Sequence, residues 1–316
     1  MPAVNRRIPA LLAVLLALGL AIASAPVALA HQADTLPAPT VGTFLLDWGF
    51  DPTLWLPALA ALALWQAGVR RVNRAHPHHR VARSRTLFFV VGVAVVLVAL
   101  DSGVGLYDDT LLSDHMVQHL LLIMVAGPLF AISTPLDLAY RAGSARLRAV
   151  LDGRVMTTLT QPLVAFALYF VFIPVSHLTG LFNEMLLHEW IHQFEHLGFL
   201  VVGYLFFRVA FGLERGRTIH PGLRLVFVMA AVPVDTFTGL ALAMSSHNPF
   251  SAYRTLAPIG STPASILTNV QLGGAIMWIG GDALMLLACI PIAVAWVRWE
   301  ARRTVELDAR LDAQGR

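Results

Sequence analysis

Charged residues and cysteine are scarce in this chain, and lysine is absent. Of the 316 residues, 13% are charged and 57% are hydrophobic. Soluble globular domains are about 25% charged, so this composition argues against a soluble protein. All 22 basic residues are arginines, so the distribution of positive charge along the chain follows the positions of arginine alone. The one cysteine, Cys289, excludes both a disulfide within the chain and a metal cluster built from several cysteines.

What the chain has instead is a series of apolar runs. A helix needs about 20 residues to cross the hydrocarbon core of a bilayer, and each run is long enough. The runs are continuous rather than alternating, which favours helices over the strands of a barrel. The sequence therefore predicts an all-α fold, a polytopic membrane helix bundle with seven transmembrane helices. The predicted spans are 50–69, 86–104, 115–133, 159–178, 185–210, 223–246 and 269–297.

The first 30 residues are typical of a cleavable signal peptide. Arg6 and Arg7 form a basic start, an apolar stretch follows, and Ala28 and Ala30 fit a small-x-small cleavage site. Cleavage would leave His31 at the mature N-terminus, where an α-amino group beside an imidazole can chelate copper; an uncleaved anchor is the alternative. The predicted parts are a signal peptide at 1–30, an extracytoplasmic segment at 31–47, a seven-helix domain at 48–300 and a cytoplasmic tail at 301–316.

Arginine is concentrated in alternate loops. The loop 70–85 holds six arginines, and the tail after Trp296 holds five more. Arg254 is the one arginine in the loops of the opposite side, which are 105–114, 179–184 and 247–268. Cytoplasmic loops carry the excess of positive charge in membrane proteins. We therefore expect the mature N-terminus outside the membrane and the C-terminus in the cytoplasm.

Histidines gather at the outer level of the predicted bundle. Ionisable side chains inside a membrane are costly and normally serve a function. His115 and His119 are four residues apart and share a helix face, which suits two ligands of one metal ion. Read as one helix, the stretch 184–196 places three imidazoles and two carboxylates on one side. The candidate ligands are His115, His119, His188, His192 and His196, with His177 and His247 as rim ligands.

Copper is the metal that this set of residues favours. Met116 and other methionines lie at similar depths, and thioether sulfur with imidazole favours copper, especially Cu(I). Each methionine taken alone is equally compatible with core filling. Glu195, Asn269 and Gln271 are candidates to orient the ligand imidazoles by hydrogen bonds. The competing explanation for the histidines is hydrogen bonding between helices without a metal.

Parts of the pattern also fit other functions. The segment from His188 to His192 matches H-E-x-x-H, in which two histidines bind zinc and the glutamate is the general base of a protease. Asp152 of a Leu-Asp-Gly triplet would be its partner, but it lies in a predicted inner loop, a bilayer away. Histidines on different helices would also suit a haem b-binding electron-transfer protein with axial histidines. A copper permease would need polar groups along the full span, and the chain offers few of them.

Three blocks together resemble the CtaG family of cytochrome c oxidase assembly proteins, in its seven-span Bacillus-type form. They are the segment 114–122, the histidine-rich fifth span, and the segment 271–278. The resemblance implies a metallochaperone or assembly factor, not an enzyme, that handles copper at the outer face of a bacterial cytoplasmic membrane. Besides the lipid bilayer, it implies cytochrome c oxidase subunits and periplasmic copper chaperones as partners, and no nucleic acid.

Overall fold

The computed structural model describes residue 40 and residues 42–43, 47–216, 218–258 and 260–314. The predicted signal peptide and His31 lie outside these residues. The helices are α1 (Pro52–Ala75), α2 (Arg83–Asp101), α3 (Gly103–Tyr107), α4 (Leu112–Leu120), α5 (Gly127–Ser133), α6 (Pro135–Ala142), α7 (Ala145–Leu151), α8 (Arg154–Leu159), α9 (Pro162–Leu178), α10 (Leu181–Leu187), α11 (Glu189–Phe211), α12 (Pro221–Met229), α13 (Val232–Ala243), α14 (Tyr253–Leu256), α15 (Pro263–Ala275) and α16 (Gly281–Gln314). Two further segments, Leu121–Ala126 and Ile276–Gly280, have the wider hydrogen bonding of a π-helix.

Several helical stretches have the length and composition to cross a membrane. Among the described residues they are Pro52–Ala75, Arg83–Asp101, Leu112–Ala142, Glu189–Phe211, Pro221–Ala243 and Pro263–Gln314. A seventh span is obtained if α9 and α10, which meet at 69°, are counted together. The all-α, multi-pass architecture is thus confirmed, with six spans or seven depending on the bent pair.

The fifth predicted span differs from the expectation at its start. Residues 184–196 do not form one helix, because His188 stands between α10 and α11 in an extended conformation (φ −134°, ψ 101°). Phe182 and Met185 of α10 are buried in the hydrophobic core. His188 and Glu184 therefore do not share the helix face that carries His192.

Glycines allow close approach of the helices that carry the histidine pairs. A Cβ atom on Gly203 of α11 would lie 2.6 Å from the carbonyl oxygen of Ile123, closer than real Cβ contacts. A Cβ on Gly127 of α5 would lie 2.8 Å from the backbone of Gly203. Gly273 of α15 packs in the same way against the backbone of Leu112, at the start of α4. These contacts fix α4, α11 and α15 around one site.

A buried ion pair joins α11 to α6 at the other end of the bundle. Arg208 Nε lies 3.0 Å from Glu214 Oε2, and both residues are buried. The other oxygen of Glu214 accepts hydrogen bonds from the backbone N–H groups of Leu136 (2.6 Å) and Asp137 (3.2 Å), at the start of α6. Buried charges are stable only when paired and hydrogen-bonded, and this pair meets both conditions.

Candidate metal centre

Two histidine pairs face each other near the starts of α4 and α11. The rings of His115 and His119 are 4.1 Å apart between centroids, and those of His192 and His196 are 4.2 Å apart. His115 stacks on His192 across the two helices, with 5.3 Å between centroids. All four side chains are buried, none more than 5% exposed. The four-residue spacing within each pair thus places its two rings on one face of a helix, and the two helix faces lie against each other.

Carboxylates lie against these rings. Glu195 Oε2 is 3.6 Å from Nε2 of both His115 and His119. Asp108, in the turn before α4, places Oδ2 3.9 Å from Nε2 of His192 and 3.8 Å from Nε2 of His196. The cluster therefore contains carboxyl groups beside imidazoles, which suits a bound cation.

A third carboxylate connects the cluster to its surface. Asp109 Oδ1 lies 3.0 Å from His192 Nδ1, and the Asp109 side chain is 40% exposed.

Burial and the neighbouring Asp109 raise the pKa of Asp108 to about 8. A cation that binds at Asp108 would therefore compete with a proton for this carboxyl group.

Several polar atoms of the cluster are buried without a hydrogen-bond partner among the described residues. They are Nδ1 and Nε2 of His115, Nε2 of His119, Nε2 of His192, Nδ1 of His196 and Oε2 of Glu195. An unsatisfied buried polar group costs about 1–3 kcal/mol, and native proteins contain few of them. Their concentration in one place fits a metal ion, which would supply the missing partner.

In the part of the chain that the structure describes, three sets of ligand atoms lie close enough to share an ion. Within each set, all atoms are within 4.8 Å of one another. The sets are Asp108, His192 and His196; His115, His192 and Glu195; and Asp109, Glu189 and His192. Because metal–nitrogen bonds are about 2.0–2.1 Å long, only a small inward shift would complete the coordination. His192 belongs to all three sets and is the central residue of the site.

His177 positions His119. Nδ1 of His177 donates to the carbonyl oxygen of Ile173 at 2.9 Å, so its Nε2 is left as an acceptor. That nitrogen lies 3.2 Å from Nδ1 of His119, which donates to it. The lone pair of His119 is then on Nε2, the atom that faces Glu195 and lacks a hydrogen-bond partner. A hydrogen bond of this kind fixes the tautomer of a metal-binding histidine.

Gln118 fixes the tautomer of His196 by a hydrogen bond. Its side-chain oxygen accepts from Nε2 of His196 at 2.8 Å, which leaves Nδ1 of His196 with the lone pair. The amide nitrogen of Gln118 donates to the Ala99 carbonyl at 3.1 Å and to Asp108. Gln118 therefore connects α2, the turn before α4, and α11 at the site.

Two predicted ligands lie outside the cluster. The side chain of His188 is 50% exposed, and its Nδ1 lies 2.9 Å from the carbonyl oxygen of Glu184. His247 is exposed and its ring lies 3.3 Å from the hydroxyl of Ser246. The H-E-x-x-H interpretation needs His188 and His192 on one helix face, and the break at His188 removes that arrangement.

The remaining predicted residues pack near the site rather than against the rings. Met116 is buried in the hydrophobic core. Asn269 hydrogen-bonds the side chain of Ser113 at 2.7 Å, and Gln271 donates to the carbonyl of Ser245 at 3.0 Å. Both amides join α15 to neighbouring segments, so these contacts support helix packing.

Sequence reasoning missed Asp108, Asp109 and Gln118. The signal available for the aspartates was their position in a loop without arginine, at the level of the histidines. Gln118 immediately precedes His119, but its side chain points to another part of the cluster, which the four-residue spacing does not indicate. The positions of these three side chains depend on loop geometry and on helix packing. Neither of these can be read from the pattern of apolar residues.

Comparisons with known proteins point to a family. A family described as cytochrome c oxidase caa3 assembly factor matches residues 63–299. Uncharacterized proteins of Mycobacterium tuberculosis and Mycobacterium leprae are 29% identical over 291 residues and 28% identical over 290 residues. Each match covers 87% of this chain but 43% of the relative, so the chain spans less than half the length of these curated relatives. No solved structure matches the chain.

Proposed function

Because this chain belongs to the cytochrome c oxidase caa3 assembly factor family, we propose that it binds copper in the histidine cluster and delivers it to oxidase subunits. The ion is cargo in this proposal, so the protein acts as a metallochaperone without turnover. The cluster would open on the outer face of a bacterial cytoplasmic membrane. Periplasmic copper chaperones would be the donors.

One observation carries the proposal: six buried nitrogen and oxygen atoms of the cluster, from residues of α4 and α11, have no hydrogen-bond partner among the described residues. Hydrogen bonding between neighbouring segments alone would leave no such atoms. It engages one nitrogen each of His119, His192 and His196 and leaves the other nitrogen of each ring without a partner among the described residues. The atoms without partners are those that a cation would coordinate. We assign His115, His119, His192, His196 and Glu195 as ligands or transfer residues, with Asp108 beside them.

The shared position of His192 suggests how the ion enters. The set formed by Asp109, Glu189 and His192 reaches the surface, because Glu189 is exposed and Asp109 is partly exposed. The other two sets are buried. An ion captured at the surface set would lie on the Nδ1 side of His192, beside Asp109. It would pass inward to the Nε2 side, beside Asp108, by exchanging both its carboxylate ligand and the nitrogen of His192 that holds it. The reverse exchange would release it to an acceptor.

The donor set bears on the identity of the metal. Imidazole and carboxylate suit Cu(II) and Zn(II), whereas Cu(I) prefers sulfur. The three ligand sets consist of imidazole and carboxylate groups, and Met116 is buried in the hydrophobic core. Copper binds nitrogen and oxygen ligands more tightly than zinc does in the series of divalent metals. The proposal is therefore Cu(II) at the cluster, in a family that serves an oxidase.

The metal content of detergent-purified protein tests this proposal. We expect about one copper per chain in the wild type and its loss in His192→Ala, because His192 joins all three ligand sets. His188→Ala is the matched control: it removes an imidazole four residues away, from an exposed position. Equal copper in His192→Ala and wild type would contradict the site, and zinc alone would contradict the cargo.

A second experiment tests the proposed role in oxidase assembly by measuring oxidase activity in cells. Cells carrying His192→Ala should assemble less active oxidase, while the level of the variant protein stays normal. His188→Ala should leave oxidase activity unchanged. A Soret band in the purified protein would instead favour haem binding and electron transfer.

A further inference from the structure

An apolar cleft is lined by residues of α1, α2, α5, α6 and α11. Its volume is about 430 Å³, within the range of roughly 300–1,000 Å³ that is common for ligand pockets. The side chains that line it are almost entirely apolar, with the phenol of Tyr204 at one side. The walls include Leu64, Trp65, Phe89, Leu138, Leu200 and Val201.

α1 is held to neighbouring helices near both of its ends. Near its start, Asp101 of α2 accepts hydrogen bonds from the backbone of Phe50 (3.0 Å) and the indole of Trp55 (2.6 Å). Toward its other end, Gly68 lies against Leu138 of α6, where an added Cβ would be 3.3 Å from the leucine side chain. Along this stretch both α1 and α11 contribute apolar side chains to the cleft.

A cationic pocket lies at the arginine-rich end of the same helices. It has a volume of about 470 Å³ and is lined by His76, His79, Arg80, Ala82, Arg85 and Arg141. Asp137 is its acidic neighbour, 3.3 Å from Arg85 and 4.0 Å from Arg141. Arg141 also donates to the carbonyl of His79. Three guanidinium groups against one carboxylate leave the pocket positive.

The pocket and the cleft lie close to each other along two helices. Arg85 lines the pocket and Phe89, one helical turn further along α2, lines the cleft. Arg141 lines the pocket and the next residue of α6, Ala142, lines the cleft. A ligand with a negative head and an apolar tail would fit both parts at once, whereas a small anion would use only the pocket.

We propose that this two-part site binds an anionic phospholipid. Its phosphate head would lie among Arg80, Arg85 and Arg141, and one acyl chain would occupy the cleft. Basic pockets between transmembrane helices on the cytoplasmic side bind anionic lipid head groups. The positive-inside rule assigns this end of the bundle to the cytoplasmic leaflet, where anionic lipids attract arginine. The cationic pocket lies at the arginine-rich start of α2, whereas the cleft extends along α11 as far as Leu197, the residue after His196.

Thermal unfolding in detergent with added lipid tests the proposal. Dioleoylphosphatidylglycerol should raise the unfolding midpoint of the wild type, and dioleoylphosphatidylcholine or sodium phosphate should raise it much less. Native mass spectrometry should show phosphatidylglycerol retained by the same protein. Each arginine removed should weaken phosphatidylglycerol binding by about fivefold.

Arg141→Gln and Arg80→Gln are the test variants, and Arg310→Gln is the control. Arg141 has structural contacts, whereas Arg80 donates a hydrogen bond only to the nearby carbonyl of Pro77 among the described residues, so Arg80→Gln should fold normally. Arg310 is exposed in the C-terminal tail, and its loss removes the same charge elsewhere. Equal effects of the two lipids, an equal effect of phosphate, or unchanged lipid preference in Arg80→Gln would overturn the site.

Discussion

Two of the inward-facing imidazoles of the site depend on a partner that holds their other nitrogen. His177 fixes His119, and Gln118 fixes His196. These contacts come from α9 and from the face of α4 beside the histidine pair, so the ligand lone pairs are oriented before an ion arrives. Such supporting contacts raise metal affinity because the ligands need little rearrangement on binding. Glu195 differs from them because it faces the rings directly.

Glu195→Gln should weaken metal binding while the fold is retained. The change keeps the shape of the side chain but removes the negative charge that lies 3.6 Å from both His115 and His119. We expect about 10–100-fold lower copper affinity, measured by competition with a chelator. Glu184→Gln is the matched control, since Glu184 is exposed and lies beside the exposed ring of His188, outside the cluster. Wild-type affinity in Glu195→Gln would show that the carboxylate is not part of the centre.

At the level of helices, the π-helical segment after α4 serves the same site. Eight residues of regular α-helix would place Gly127 about 80° around the axis from His119. The wider turns of Leu121–Ala126 rotate less per residue and reduce that offset. His119 can then face the histidines of α11 while Gly127 packs against Gly203 of the same helix. π-Bulges occur frequently at functional sites, and here the geometric reason is visible.

Gly203→Ala should destabilise the bundle and disturb the site. The new Cβ would lie 2.6 Å from the Ile123 carbonyl oxygen, and a backbone atom cannot move aside without shifting its helix. Overpacking of this kind costs about 1–3 kcal/mol, so the thermal midpoint and copper content should both fall. Gly180→Ala is the control, because nothing lies within 4 Å of its added Cβ. If both variants unfold at the wild-type temperature, the close approach of Gly203 to Ile123 does not matter for stability.

At the scale of the whole molecule, the apolar runs of the sequence predicted the features that depend on local sequence alone. They indicated the helical class and the spans, and the four-residue spacing of His115 and His119 indicated one half of the site. The break at His188 was not predictable, because burial of Phe182 and Met185 by other helices decides it. Asp108 and Asp109 were missed for a related reason: a short turn between α3 and α4 sets their positions, and no periodic pattern records it.

Orientation in the membrane is the property of the whole molecule that the copper proposal most needs. Arginine-rich loops resist transfer across the membrane, so the end with the loop 70–85 should stay in the cytoplasm and the histidine cluster should face outward. The single native cysteine makes a direct test simple. In a Cys289→Ala background, Ser251→Cys should react with a membrane-impermeant maleimide in intact spheroplasts, because this residue is exposed near the cluster end, where Asn183 contacts it.

His78→Cys, exposed in the arginine-rich loop, should react only after the spheroplasts are lysed. Labelling of both cysteines after lysis is the control for access. The reverse pattern in intact spheroplasts would place the cluster on the cytoplasmic side. Copper from periplasmic chaperones could not then reach His192 through Asp109, and delivery at the outer face would be untenable even if the cluster binds copper in the purified protein.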